Sequence, residues 1–213
     1  MKPKILSLVI VLSVIATFTS CQKDDDAGSL GGTQSAIGSV NNTFQLSGIP
    51  SGISGVSAKV TDLSNGISKV TYTGTVTNQT YLNLLKTSKD VTVSGNTVSC
   101  NCNCKITSEG METVFDEGTL TLVKNDAKVG DTWSLNHGGS TIKREVTEVS
   151  NEDTYYWGGM YIKTIKVKET GRNVPGYAGT EFIYNHKFGI VGVKLLFEDG
   201  TSKTIGVSSA NQN

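Results

Sequence analysis

The stretch V98-S-C-N-C-N-C-K-I106 contains three of the four cysteines of this chain, each separated from the next by one residue. Successive side chains of a β-strand point to opposite faces of the sheet. As a strand, the stretch has one face formed by Val98, Cys100, Cys102, Cys104 and Ile106. A face that begins with valine and ends with isoleucine is typical of a core, where cysteine acts as a small apolar residue.

Two other interpretations of Cys100, Cys102 and Cys104 stay open. As a loop, a CxCxC segment suits a soft ion such as Cu(I). In a strand, residues four apart are separated by about 13 Å, whereas two thiolates on one zinc ion lie at most about 4.6 Å apart. A disulfide between two cysteines of the triplet would be strained. A disulfide that joins two chains is the other form that this alternative can take. We favour buried thiols over a metal site or a disulfide.

The rest of the chain alternates short β-prone segments with tight turns. Asn65-Gly66 separates two such segments, and this pair is a strong hairpin signal. One segment, residues 78–88, has helical spacing, with Tyr81, Leu84 and Leu85 on one face. The pattern predicts a mainly β fold: a single antiparallel, strongly curved sheet or half-open barrel with one short helix.

The amino terminus indicates export from the cytosol. Lys2 and Lys4 precede an apolar run at residues 5–18, which is shorter than the ~20 residues that span a membrane and is typical of a signal peptide. The following residues, Phe18-Thr19-Ser20-Cys21, resemble a bacterial lipobox, with phenylalanine and serine at positions where other residues are usual. The resemblance implies a diacylglycerol and an N-acyl chain on Cys21, whereas an ordinary secretory signal is the alternative.

An acidic segment follows Cys21 directly, formed by Gln22, Lys23, Asp24, Asp25 and Asp26. It resembles the export signal of Bacteroidota surface lipoproteins, which implies an outer-membrane protein, lipid-anchored and exposed at the cell surface. The alternatives are a solvated spacer and an anchor that faces the periplasm. Two or more acyl chains on one residue give stable anchoring.

The expected organisation has four parts. Residues 1–20 form a lipoprotein signal peptide, and residues 21–43 contain the lipidated cysteine, the acidic segment and a flexible Gly- and Ser-rich linker. Residues 44–207 form the β-rich domain, and residues 208–213 form a flexible tail. Removing Lys2 and Lys4 from the 19 basic residues leaves 17 against 19 acidic ones. This balance gives no basis for nucleic-acid binding.

No catalytic motif stands out in the sequence. The two histidines, His137 and His186, have no nucleophile or carboxylate at motif spacing. Aromatic residues are more suggestive, because four of them surround a Gly-Gly turn that is too polar to bury every ring. These candidates for ligand contact are Tyr155, Tyr156, Trp157 and Tyr161, although the same residues could cap one end of the sheet.

The order KVGDTWSL, REVTEVS, MYIKTIKVKETG and TEFIYNHKFGIVGVKLLFEDGTS, over residues 126–207, resembles uncharacterised Bacteroidota lipoproteins with LolA- and TapB-like half-barrels. The resemblance implies a curved sheet that holds an acyl chain on its concave face. It rests on pattern, and no ligand-binding motif carries over to particular residues.

Together these features predict a lipid-anchored envelope protein whose domain is not an enzyme and has no cofactor beyond its acyl chains. The expected ligand is an apolar molecule, a glycan or a partner protein. The alternative is an envelope metal-binding lipoprotein that uses Cys100, Cys102 and Cys104. A surface hydrolase is the weakest of the three hypotheses.

Replacing Cys21 with alanine tests the anchor. We expect the Cys21→Ala protein to move from the detergent phase to the aqueous phase after Triton X-114 extraction of cells, because the thiol that accepts the diacylglycerol is gone. Cys100→Ala is the matched control, and it should leave partitioning unchanged. Full-length Cys21→Ala protein that stays in the detergent phase would contradict lipidation at this residue.

Overall fold

The computed structural model describes residues 30–86 and 91–212. The first half contains seven strands and one helix: β1 (Thr43–Ser47), β2 (Ile53–Ser64), β3 (Ile67–Val76), α1 (Gln79–Leu85), β4 (Val91–Ser94), β5 (Thr97–Thr107), β6 (Gly110–Phe115) and β7 (Gly118–Lys124). The second half contains eight strands: β8 (Thr132–His137), β9 (Ser140–Val149), β10 (Tyr155–Trp157), β11 (Met160–Ile162), β12 (Ile165–Thr170), β13 (Tyr177–Asn185), β14 (Gly189–Phe197) and β15 (Ser202–Ser209). A 3-10 turn at Ala36–Gly38 precedes β1.

Most of the strands form one antiparallel sheet in the order β7-β6-β5-β3-β2-β1-β15-β14-β13-β12-β9-β8, and β4 also pairs with β5. Pairing of β1 with β15 joins the first and last parts of the chain. The sheet curves until its two edge strands, β7 and β8, approach each other, so that it is nearly closed and barrel-like, with one seam. The predicted fold class is confirmed.

The seam is the gap between the edge strands β7 and β8. No hydrogen-bond ladder joins these strands in the described residues, and side-chain contacts close the gap instead. Arg144 of β9 donates from Nη1 to the carbonyl oxygen of Leu120 in β7, at 2.9 Å. Leu120 also packs with Ile142 of β9. His137 Nδ1 of β8 lies 2.9 Å from Oε2 of Glu117, which precedes β7. Buried contacts from β8 and β9 to β7 and the residue before it therefore hold the seam together.

The cysteine stretch lies in β5 and faces the interior, as its alternation predicts. The exposed fractions of the residues are 3% for Cys100, 7% for Cys102 and 3% for Cys104, and none of the three forms a disulfide within the described residues. Val98 and Ile106 lie on the same face and are also buried. The interpretation as a strand with a core face is confirmed.

One predicted boundary differs in detail, and one predicted turn is confirmed. The predicted helix at residues 78–88 is seen as Gln79–Leu85, where Leu82 and Leu85 are buried against Val98 and Cys100. The Asn65-Gly66 hairpin turn is present, with φ of 52° and 75°, a conformation that asparagine and glycine accept more readily than other residues. Residues 160–170 form two separate strands, because β11 pairs with β10 and β12 joins the main sheet.

The flexible linker expected up to residue 43 is not what the structure has for residues 30–42. Leu30 and Ile37 are buried, and Ile37 packs against Cys102, Cys104 and Ile106. The main-chain N–H of Leu30 donates to Oε1 of Glu112 at 2.9 Å. Buried apolar side chains and hydrogen bonds together hold this Gly- and Ser-rich stretch on the sheet, which composition alone does not reveal.

The flexible tail expected at residues 208–213 is also ordered for most of its length. β15 extends to Ser209, and the N–H of Ala210 donates to the carbonyl oxygen of Thr43 at 2.9 Å. The N–H of Asn211 donates to Oδ1 of the buried Asn42, also at 2.9 Å. The main chain of this segment therefore hydrogen-bonds with the residues at the start of β1.

The expected signal peptide, Cys21 and the acidic segment at residues 22–26 lie outside the described residues. None of the helices that the structure describes has the length and apolar character needed to cross a bilayer.

Removing the side chain of Ile37 tests whether the segment before β1 belongs to the folded domain. Ile37 is 2% exposed, so that Ile37→Ala should lower the free energy of unfolding by about 2–5 kcal/mol in urea denaturation. Val40, 45% exposed in the same segment, is the control, and Val40→Ala should cost less than about 0.5 kcal/mol. Equal effects would mean that Ile37 adds nothing to the core.

Candidate functional site

The interior of the nearly closed sheet contains a cavity of about 130 Å³. Its walls come from the 3-10 turn, from Arg172 after β12, and from strands all around the curved sheet, namely β1, β3, β5–β7, β9 and β13–β15. The lining includes Ile37, Phe44, Leu46, Val70, Tyr72, Cys102, Cys104, Ile106, Met111, Thr113, Leu122, Arg144, Arg172, Phe182, Gly189, Ile190, Val193, Leu195, Ile205 and Val207. For comparison, an engineered cavity of about 150 Å³ with apolar walls takes up benzene. We refer to this space as the interior cavity.

Apolar side chains of the lining are incompletely covered by other protein atoms. Phe44, Leu46, Ile190, Val193 and Val207 are each only half-buried although they point to the inside of the sheet. In a close-packed core such residues would be covered completely. Their remaining surface faces the interior cavity, which is therefore a ready site for an apolar molecule.

Arg144, Glu169 and Arg172 form a buried ion cluster in the wall of the interior cavity. Arg144 Nε and Nη2 each lie 2.8 Å from Oε2 of Glu169, and Arg172 Nε lies 2.5 Å from Oε1. Arg144 and Glu169 are direct cross-strand neighbours on β9 and β12. One carboxylate thus joins two guanidinium groups, a geometry that fits the two oxygens of the carboxylate to the planar N–H groups of arginine.

The two arginines determine the ionisation of Glu169. Burial acts to raise the pKa of this carboxyl group, but the positive charges of Arg172 and Arg144 outweigh burial and hold the pKa at about 2. The same attraction raises the pKa of Arg172, although burial opposes it. All three groups are consequently charged near neutral pH, and the ion cluster of described residues has a formal charge of plus one.

The sequence contained a signal for the ion cluster that the sequence-based interpretation missed. In β9, Arg144 lies between Ile142 and Val146 at alternate positions, so that the strand period places a charge on the core face. Glu169 likewise follows Val167 at a spacing of two in β12. A charge in phase with buried apolar residues predicts a buried polar site, but only the fold shows which residue is its partner.

Two of the three thiols face the interior cavity. Cys102 Sγ lies 3.1 Å from Cys104 Sγ, and both side chains belong to the cavity wall. Cys100 packs instead with Leu82 and Leu85 of α1. The hydrogen bond between Cys102 and Cys104, together with burial, raises the pKa of Cys102 well above its usual range. The Cys102 thiol is therefore protonated at neutral pH, which makes it a weak nucleophile and a weak metal ligand.

The metal-binding alternative stays a prediction. Within residues 30–86 and 91–212, no group of three or more His, Cys, Asp or Glu side chains has the arrangement of a metal site. Cys102 and Cys104 alone would offer two sulfur ligands, and both would have to lose a proton before they bound an ion. Cys100 faces a different part of the interior.

The predicted aromatic contacts divide into two pairs within the hairpin β10–β11, which we call the aromatic hairpin. Tyr155 and Trp157 point toward the sheet, where Trp157 Nε1 donates to the carbonyl oxygen of Val207 at 2.8 Å and the Trp157 ring contacts Phe188. Tyr156 and Tyr161 are 64% and 63% exposed, with ring centroids 5.3 Å apart. The first pair is structural, and the second is available to a ligand.

The two histidines occupy different environments. His137, the last residue of β8, is largely buried through its contacts with Glu117 and the ring of Phe115. His186 is exposed in the turn between β13 and β14. The interior cavity has no histidine in its wall. The strongest candidate for a functional site in the described chain is therefore a binding cavity.

Comparisons of the chain with protein families, curated proteins and solved structures found no match. The resemblance to Bacteroidota lipoproteins and to LolA- and TapB-like half-barrels accordingly stays a prediction. The functional assignment rests on the geometry of the interior cavity and on the pattern of the first 26 residues.

Replacing Glu169 with glutamine tests the ion cluster. The change removes the charge of the carboxylate that both buried arginines contact. Unfolding in urea at pH 7 should therefore require about 3–5 kcal/mol less free energy. Glu145→Gln is the control, because the Glu145 side chain is 47% exposed in a surface pair with Lys143. The control should change the free energy of unfolding by less than about 1 kcal/mol.

The effect of Glu169→Gln should depend on pH. The pKa of Glu169 is about 2 in the folded protein, below its value of about 4.3 in unfolded chains. The carboxylate therefore stabilises the fold above about pH 5, by about 3 kcal/mol, and this contribution declines as the pH falls toward 2. The stability difference between wild type and variant should narrow from pH 7 to pH 3. A constant difference would contradict the low pKa.

Proposed function

We propose that the protein is a lipid-anchored envelope protein that binds a small apolar ligand inside its β-domain. The observation that supports this proposal most strongly is the interior cavity, with its half-buried apolar lining. Filling such a cavity removes apolar ligand surface and cavity surface from water together, which favours binding at roughly 25 cal/mol for each Å². Binding without catalysis is the simplest role for a site of this composition.

The sequence pattern supports the proposed location. The apolar run, the lipobox-like residues ending in Cys21 and the acidic residues 22–26 fit a lipoprotein of the outer membrane, exposed at the cell surface. An anchor of two or more acyl chains would keep the domain next to the bilayer. A domain held there meets apolar molecules that partition into membranes, which agrees with the chemistry of the interior cavity.

A glycan or a protein is the second type of ligand, and the aromatic hairpin is the feature that favours it. Tyr156, Tyr161 and Met160 are exposed together at the end of this hairpin. Exposed aromatic rings can stack on sugars or form the centre of a protein contact. The two rings stand at 63° to each other and do not form a flat platform, so that the interior cavity is the better-supported site.

Filling the interior cavity with a side chain tests the proposed function. Val193 is half-buried in the cavity wall, and a tryptophan there would occupy the space of the ligand. Titration calorimetry should detect binding of 1-octanol to the wild type and to Val193→Ile, the matched control, and at least tenfold weaker binding to Val193→Trp. Circular dichroism checks that Val193→Trp is folded.

Two outcomes would contradict this proposal. A wild-type protein that fails to bind 1-octanol would show that the interior cavity does not admit apolar molecules. Binding that is equally strong in folded Val193→Trp would place the apolar site elsewhere, and the aromatic hairpin would then be the next candidate.

A further inference from the structure

The most exposed of the large apolar and aromatic side chains that the structure describes lie on connections between strands. They are Val40, Val129, Tyr156, Met160 and Tyr161. Exposed apolar groups that gather in one region of a protein surface mark a contact with another molecule or with a membrane. The place of these five residues in the fold therefore indicates what they contact.

The aromatic hairpin lies at the end of the sheet where the chain first joins it. An ideal Cβ atom on Gly189, the first residue of β14, would lie only 3.1 Å from Cδ1 of Ile37 in the 3-10 turn. Phe188, the residue before Gly189, contacts the ring of Trp157 in the hairpin, with ring centroids 4.5 Å apart. The 3-10 turn, the β13–β14 turn and the hairpin thus lie together, and we call this end of the sheet the N-terminal end.

The other two exposed apolar residues belong to the same end. Val40 lies between the 3-10 turn and β1. Val129 lies in the connection between β7 and β8, in which the N–H of Asn125 donates to the carbonyl oxygen of Glu109 at 2.8 Å. Glu109 is in the β5–β6 turn, and the segment before the 3-10 turn pairs with the end of β5 beside it. None of the five residues lies in a turn at the opposite end of the sheet.

The length of the chain before Leu30 limits how far the N-terminal end can stand from an anchor at Cys21. Nine residue steps lead from position 21 to position 30, and a chain of this length reaches at most about 32 Å however it is arranged. β5 alone has eleven residues and is about 36 Å long. Leu30 contacts Glu112 near the start of β6. An anchor at Cys21 therefore favours arrangements in which the N-terminal end is nearer to the bilayer than the opposite end.

The tip of the aromatic hairpin has the composition of a membrane-surface contact. Tyrosine is enriched where membrane and water meet, because the ring contacts lipid while the hydroxyl group stays hydrated. Exposed charged side chains of both signs lie next to the hairpin and in the β13–β14 turn, namely Glu152, Asp153, Lys163 and Lys187. Because these charges balance, we expect burial of apolar surface, and not attraction to anionic lipids, to dominate the contact.

We infer that the N-terminal end of the domain rests on the bilayer that holds the anchor, with Tyr156, Met160 and Tyr161 among the lipid headgroups. The inference rests on the lipid anchor of the proposed function and adds an orientation of the domain on the membrane. A few exposed side chains bind a bilayer weakly by themselves. The tether makes the contact effective because it keeps the local concentration of lipid high.

Tryptophan reporters at the two ends of the sheet test this orientation. The lipidated protein is reconstituted into vesicles of phosphatidylethanolamine and phosphatidylglycerol, with or without brominated phospholipids, which quench tryptophan on contact. The emission that Tyr156→Trp adds to the wild-type signal should fall at least about threefold with brominated lipid, because an interfacial tryptophan contacts lipid. Asn96→Trp is the matched control, since Asn96 is exposed in the β4–β5 turn at the opposite end. Its emission should stay unchanged.

Aspartate at the hairpin tip should abolish the contact. In the Tyr156→Trp protein, Met160→Asp combined with Tyr161→Asp should reduce quenching to the level of the control reporter, because carboxylates are costly to move from water into a lipid interface. Ser51→Asp combined with Ser94→Asp is the matched control, because it adds the same charge to exposed positions at the opposite end. It should leave quenching unchanged. Circular dichroism checks that both double variants are folded.

The outcomes separate this inference from the proposed function. Protein that does not float with the vesicles would overturn the anchor, and the inference with it. Floating protein with no quenching of either reporter would overturn the orientation and leave the anchor standing. Quenching that persists after the aspartate substitutions would place the lipid contact elsewhere. Emission from Tyr156→Trp that ignores brominated lipid but changes with the protein-to-lipid ratio would assign the hairpin to a second copy of the chain, which also overturns the inference.

Discussion

The structure depends on one buried carboxylate, Glu169, which holds two arginines on the inside of a curved sheet. Through Arg144 it connects the β9–β12 pair with the carbonyl oxygen of Leu120 across the seam. No ladder joins the edge strands there in the part of the chain that the structure describes. Through Arg172 it fixes the start of the loop that leads to β13. Burying an ion costs desolvation energy, and only close partners of opposite charge and hydrogen-bond partners offset that cost. The arrangement is therefore a strong constraint on how the sheet closes, and apolar packing alone would not impose it.

Closure by polar contacts explains why the interior contains a cavity. The sheet is held in its curved shape by the ion cluster, by the pairing of β1 with β15 and by apolar contacts at the seam. Because these contacts lie at the walls, the centre can stay incompletely filled. Apolar side chains such as Leu46 and Ile190 then keep exposed surface inside the protein. A space of this kind binds ligands at low cost, since the walls do not have to move apart.

Much of the fold is readable from the sequence because its features are local. The alternation of apolar and polar residues around Cys102 predicts the core face of β5, and the Asn65-Gly66 pair predicts a hairpin. The ion cluster was missed because Arg144 and Glu169 are partners only after β9 and β12 pair, which no local pattern states. Residues 30–42 were expected to be flexible for the same reason. Ile37 becomes a core residue only through its contact with the distant strand β5, which no local pattern states.

The central claim is that the interior of the sheet is the binding site for an apolar ligand. A crystal structure of the protein grown with 1-octanol tests this claim most directly. We expect density for 1-octanol in the interior cavity, with its chain along Phe44 and Val193. Density for 1-octanol on the exposed rings of Tyr156 and Tyr161, with the interior cavity empty, would contradict it.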